Sequence, residues 1–185
     1  MVQKYNKFLY FCHSQKQTMN AKNHTDPRHS EPQQSMPVMT KTEKYQALLP
    51  QIEGLVDGES DLIAKMANVA ALLHEEFGFW WTGFYRVVGD ELVLGPFQGP
   101  IACIRIAYGR GVCGTAWQRG ETVIVPNVHE FPGHIACSSA SNSEIVVPVV
   151  SGGTVIAVLD IDSTDYGTFD ETDRQYLEHI VRGMV

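Results

Sequence analysis

Cys137 opens the run Cys137-Ser-Ser-Ala-Ser-Asn-Ser-Glu144, and Cys103 and Cys113 sit upstream in short segments rich in glycine and small residues. A thiol followed by six small or polar residues and then a carboxylate is poor core material. It reads as an active-site loop, and the apolar stretch Ile145–Val150 directly after it supplies a rigid anchor. Thiolates are nucleophiles and redox centres, so thiol chemistry is the first expectation. Cys12 is read as a bystander in a polar tail.

Carboxylates form the second constellation. Ile145–Val150 and Thr154–Leu159 flank Gly152-Gly153, a strong hairpin signal. If the loop is Ser151-Gly152-Gly153, Val150 pairs with Thr154 and Glu144 faces Asp160. Asp162 then shares the face of Asp160, because side chains on a strand alternate. Three carboxylates so close disfavour full ionisation, which would supply a proton donor and a seat for an ammonium group. The competing reading is three charges on a solvated strand end, and a two-residue loop would put Glu144 out of register with Asp160. Trp81 and Tyr85 fall on one face of an aromatic stretch and could wall a pocket above the carboxylates, although core packing is the default for such a stripe. Zinc is disfavoured. Cys103, Cys113, Cys137, His129 and His134 offer soft ligands, but the cysteines are spaced ten and twenty-four residues apart and make no close pair. Gly109, Gly111 and Gly114 fit turn geometry better than a phosphate loop.

The elements that must position these residues are legible as an α+β pattern. A helix is expected over about Lys41–Leu55, and a second from a cap at Ser60 or Asp61 to Gly78. Strands are expected over Trp80–Val88, Glu91–Leu94, Ile101–Ile106, Thr122–Val125 and the two arms of the final hairpin. A short helix near Cys113–Arg119 and a closing helix from Asp170 to Met184 complete the set. Helices before and after a mostly antiparallel sheet make a layered α+β domain over residues 41–185. Residues 1–40, polar and without hydrophobic period, read as a disordered tail.

Composition excludes other classes. Residues 1–40 carry five basic and two acidic side chains, and the remainder nine and nineteen. An acidic body repels phosphate backbones, so nucleic acid is not an expected partner. No apolar stretch reaches the roughly 20 residues of a membrane span. Four cysteines without a secretory signal suit a reducing compartment, and the chain is read as cytoplasmic.

These segments resemble a known family. Gln98-Gly-Pro-Ile-Ala-Cys103, Gly111-Val-Cys-Gly-Thr-Ala-Trp117, His134-Ile-Ala-Cys137-Ser-Ser-Ala-Ser-Asn-Ser-Glu144-Ile-Val-Val-Pro148 and Leu159-Asp-Ile-Asp-Ser163 are similar to the free methionine-(R)-sulfoxide reductases, GAF-fold enzymes. The likeness covers roughly residues 41–185. It implies a GAF-like domain in which Cys137 is the catalytic thiol, Cys103 forms a disulfide with it, and Cys113 is a secondary resolving thiol. It also implies that Glu144, Asp160 and Asp162 bind substrate and move protons, and that Trp81 and Tyr85 line the pocket. Ser138 stands where many relatives carry an acidic residue. The implied substrate is free methionine sulfoxide. No bound metal or organic cofactor is implied, and the external reductant is thioredoxin with NADPH behind it. Self-association into a homodimer is left open. The alternative is a non-catalytic GAF module that senses a small ligand or redox state.

Overall fold

The computed structural model describes residues 39–134 and 139–185. Helix α1, Lys41–Val56, starts where Thr40 and Glu43 form a reciprocal capping box. Thr40, assigned to the tail by composition, thus belongs to the domain; the rest of that stretch, 1–38, lies outside the described residues. Helix α2, Leu62–Phe77, is capped by the Asp61 carboxylate and stopped by Gly78 in the left-handed conformation. Strands β1, Trp81–Val88, and β2, Glu91–Gln98, form the first hairpin. Strand β3, Arg105–Ala107, leads into helix α3, Gly111–Arg119, and strand β4, Val123–Val125. After a short 3₁₀ turn at Val128–Glu130 come β5, Ser143–Ser151, β6, Thr154–Ser163, and helix α4, Glu171–Gly183.

The six strands form one antiparallel sheet in the order β3-β2-β1-β6-β5-β4. Strand alternation divides the core in two. Phe84, Ile145, Val147, Leu159 and Ile161 pack against the apolar stripes of α1, α2 and α4. Trp81, Tyr85, Val146 and Val158 face the other way, beneath Val112, Cys113 and Ala116 of α3. That second face holds the candidate site.

The expected strand at Ile101–Ile106 is a correction: only Arg105–Ala107 joins the ladder. Gly99 takes a positive φ of 121° and Pro100 has no N–H to donate, so the chain leaves the sheet there. The carbonyls this frees are used elsewhere. Pro100 O accepts the Trp81 indole N–H at 3.1 Å, and Cys103 O accepts the Tyr85 hydroxyl at 3.0 Å.

The two ends of the domain are joined by a buried charge. Asp173, fully buried in the first turn of α4, accepts from Lys41 Nζ at 2.5 Å, Tyr45 Oη at 2.9 Å and the Asp170 amide at 2.8 Å. Removing one member of a buried ion pair typically costs about 3–5 kcal/mol. Lys41 is partly exposed, so Asp173→Ala is expected to destabilise the domain by about 3 kcal/mol, read from urea unfolding. An unchanged midpoint would show that α1 and α4 are held by apolar packing alone.

Candidate active site

The hairpin register brings the carboxylates together, by a route different from the expected one. The loop is the two-residue Gly152-Gly153, with Ser151 paired to Thr154. A bulge between Val149 and Val150 then adds one residue to β6's side of the ladder, so Glu144 faces Asp162 and Asp160 faces Val146. Parity is restored, and all three carboxylates share one face. Across the sheet, Asp162 also faces Trp81, and Asp160 faces Gly83.

Glu144 and Asp160 are buried, at 6% and 7% exposure, so the solvated strand-end reading does not hold. Cys113 Sγ donates to Glu144 Oε1 at 3.9 Å. Asp160 Oδ1 is buried with no hydrogen-bond partner among the described residues. Burial foremost, and then mutual repulsion, pushes the Glu144 and Asp160 carboxyls well above the usual range. Burial raises Asp162 to about 6, against a bond from Ser141 that favours its charged form. The Cys113 thiol is pushed well up, first by burial and then by Asp160 and Glu144. At neutral pH this cluster therefore holds protons it can give away.

Trp81 and Tyr85 wall the cleft as expected, with ring centroids 5.9 Å apart. Trp81 also stacks on Phe97 at 5.4 Å. Gly83 makes this packing feasible: a Cβ there would lie 2.5 Å from the Trp81 ring. Gly114 lets α3 approach the sheet edge, since its Cβ would meet the Ala107 carbonyl at 2.6 Å. That close approach sets Cys113 over the carboxylates.

Of the other expected thiols, Cys103 is disulfide-bonded, at the edge of the cleft. Cys137 lies outside the described residues. The polar run that follows it is more ordered than a solvated loop from Ser141 onward. Ser141 and Ser143 are buried, Asn142 N–H donates to Ser163 O at 2.8 Å, and Ser143 Oγ donates to Asp165 O at 2.6 Å. Small polar residues suit this tight corner because Asn142 and Ser143 donate to the backbone carbonyls of Thr164 and Asp165, while Ser141 bonds the Asp162 carboxyl.

The soft-ligand set considered for zinc is not gathered among the described residues: Cys103 is in a disulfide, and His129 Nε2 lies 3.0 Å from Asn142 Oδ1. A different trio, Cys113, Glu144 and Asp160, presents donor atoms within 4.8 Å of one another and could hold one cation. A substrate ammonium suits the same oxygens. Sequence reasoning missed Ser141, Arg110 and the role of His134, which all line the cleft. His134 Nδ1 is 4.0 Å from Glu144 Oε2, and burial keeps this imidazole's pKa below its usual value. A lone serine, arginine or histidine in a loop carries no periodic signal that could have singled it out.

Comparison with known proteins places the fold and the site in context. Residues 59–185 match the family model described as GAF domain. The free methionine-R-sulfoxide reductase of Escherichia coli is 51% identical over 144 residues, spanning 77% of this chain and 87% of that protein. The Dictyostelium discoideum GAF domain-containing protein A is 60% identical over 144 residues, spanning 77% and 91%. The structure of free methionine-R-sulfoxide reductase from Neisseria meningitidis in complex with its substrate superposes with a TM-score of 0.78 at 53% identity, covering 81% of this chain and 91% of that one. Among the described residues, no helix is long and apolar enough to cross a membrane.

The raised carboxyls make stability depend on pH with a definite sign. Asp162 titrates higher in the folded protein than in the unfolded chain, so its contribution is full below about pH 4 and is lost as pH rises through about 6. Asp162→Asn removes that loss. The melting temperature of the variant minus that of the wild type should therefore grow more positive from about pH 5 to about pH 7.5. A difference independent of pH would mean that Asp162 titrates as in solvent.

Proposed function

The chain belongs to the GAF-domain free methionine-(R)-sulfoxide reductases, and we propose that it reduces free L-methionine (R)-sulfoxide to L-methionine through Cys137 and a Cys103–Cys137 disulfide. The observation that carries this reading is the cleft itself: two buried carboxyls and a half-buried third, held above their usual pKa range, under an aromatic wall, with a disulfide-bonded cysteine at the edge. Relatives with the same fold include enzymes of this activity, one of them with its substrate bound.

In this reading the Cys137 thiolate attacks the sulfoxide sulfur, and a neutral carboxyl, Glu144 or Asp162, protonates the oxygen. Methionine leaves with its sulfur reduced, and Cys137 takes the oxygen as a sulfenic acid. The Cys103 thiol condenses with it, releasing water and forming the disulfide. A dithiol then returns both cysteines to thiols by exchange and leaves oxidised. Thioredoxin, kept reduced by NADPH, fits that role, with no bound metal or organic cofactor. Trp81 and Tyr85 would pack on the substrate's apolar arm. Asp160, whose Oδ1 is buried without a partner among the described residues, would take the α-ammonium. Placing that ammonium in the cleft lowers the pKa of the nearby carboxyls, which assists proton release to the sulfoxide. Cytoplasmic residence follows from the need for reduced thiols.

The nucleophile assignment has a direct check. Cys137→Ser should lower single-turnover formation of methionine by at least about 1,000-fold while the melting temperature of the reduced protein stays unchanged. Near-normal turnover would move the nucleophile to another cysteine.

Substrate selection and proton donation separate in kinetics. N-acetylation removes the ammonium that Asp160 would hold, so N-acetyl-methionine sulfoxide should react with kcat/KM lower by about 100-fold or more. Glu144→Gln and Asp162→Asn should lower the chemical step by about 100-fold, within the usual range for a general acid, with a smaller change in KM. If both amides retained the wild-type rate and pH profile, the proton would come from solvent or from a thiol.

A further inference from the structure

The surface around Cys103 differs from the rest of the molecule in two independent ways. Its apolar side chains are unusually bare: Ile101 is 90% exposed and Ile104 72% exposed, the two highest values for large apolar residues among the described residues. Burying one isoleucine is worth roughly 1.5–3 kcal/mol, so leaving two in water within four residues costs stability that a partner could recover. The stretch of sequence that carries this surface also differs in charge. Residues 98–120 carry Arg105, Arg110 and Arg119 and no carboxylate, whereas the rest of residues 41–185 carry six basic and nineteen acidic side chains. Arg105 is paired with Glu91 at 2.8 Å, but Arg110 makes no ion pair among the described residues and stands exposed at the mouth of the cleft. The segment has left the sheet at Gly99 and Pro100, and Cys103 lies between the two isoleucines in a disulfide.

We propose that Ile101, Ile104 and the rim arginine Arg110 form the docking surface for the dithiol protein that regenerates the enzyme, a partner with an apolar, net acidic face around its reactive cysteine. This rests on the reductase reading and goes beyond it by locating the partner. Thiol–disulfide exchange fixes the geometry. In this proposal the attacking thiolate bonds to the Cys103 sulfur, at the edge of the cleft, as the Cys103 disulfide breaks, and the other half-cystine leaves as a thiolate and takes up a proton. The partner's second thiol then displaces Cys103, and the partner leaves as a disulfide. Two protein surfaces must touch at Cys103 for that mixed disulfide to form, so whatever covers Cys103 also covers its two neighbouring isoleucines. A small dithiol needs no such surface.

The test compares two reductants on the full chain: dithiothreitol, and a thioredoxin with its reductase and NADPH. Ile104 is the residue to change, because it lies outside the cleft and is mostly in water. Ile104→Glu should raise the KM for thioredoxin about tenfold, and Ile104→Ala about threefold, the range of an interface anchor. The rate with dithiothreitol and the KM for methionine sulfoxide should stay within about twofold of wild type, because the variant is far from any energetic hot spot for the small reductant. Added salt should raise the wild-type KM for thioredoxin and leave the dithiothreitol rate unchanged. An unchanged thioredoxin KM in Ile104→Glu overturns the proposal, as does an equal loss with both reductants. A wild-type dimer that Ile104→Glu dissociates, with unchanged thioredoxin KM, would reassign the patch to a second copy of the chain. No turnover with dithiothreitol in the wild type would instead remove the reductase reading, and this proposal with it.

Discussion

Everything on the cleft face of this domain follows from setting three carboxyl groups side by side, two of them buried and the third half-buried. Moving an ionised carboxylate out of water costs several kcal/mol, and repulsion between neighbours adds to that cost. Glu144, Asp160 and Asp162 escape it by holding protons to a higher pH than free carboxyls do. The arrangement requires a rigid floor and a cover. The floor is the central trio of strands β1, β6 and β5, whose register puts Trp81, Asp162 and Glu144 in one row and Gly83, Asp160 and Val146 in the next. The cover is α3 together with the segment that leaves the sheet after β2. A cationic ligand entering this space would favour the ionised carboxyls and so release their protons into the cleft. Binding and proton donation are two aspects of one electrostatic constraint.

The cover depends on backbone atoms as much as on side chains. Without a ladder to join, the carbonyls of Pro100 and Cys103 take the polar ends of Trp81 and Tyr85, so each aromatic keeps an apolar face to the cleft while its N–H or O–H is satisfied. The second of these bonds ties the position of Cys103 to that of the aromatic wall. A change in the redox state of Cys103 is thereby connected, through one peptide carbonyl, to the side of the pocket where substrate would pack. Gly83 and Gly114 are the sequence signature of this tight assembly, since a methyl group at either would run into Trp81 or into the Ala107 carbonyl.

What the sequence made legible divides along the same physical lines. Helices were readable because their signals are local: Asp61 and Gly78 bound α2, and Asp170 caps α4, within a residue of expectation. The carboxylate cluster was readable through parity. The expected three-residue loop and the observed two-residue loop with a bulge differ in register by two residues at Glu144, and a shift of two keeps every side chain on its own face. The bulge itself has no sequence mark in Val149-Val150. The strand wrongly expected at Ile101–Ile106 shows the opposite case: its apolar composition suits a strand, but a strand also needs a partner, and pairing is a tertiary fact. The places of His134, Ser141 and Arg110 in the cleft were invisible for the same reason, because only the fold brings them together.

The three thiols are also separated by environment rather than by type. Cys113 is 4% exposed and sits against two carboxyls, so both burial and neighbouring charge keep its proton in place. A thiol held in that state is a weak nucleophile, and it donates a hydrogen bond to Glu144 instead. Placing Cys113 in a disulfide would remove that donor and would put the new bond inside the cleft. Cys103 is half-buried at the edge of the cleft, between Ile101 and Ile104, whose side chains face water, and it is held in a disulfide. Environment alone thus makes Cys113 a proton-holding donor to Glu144 and sets Cys103 apart as a half-cystine at the cleft edge.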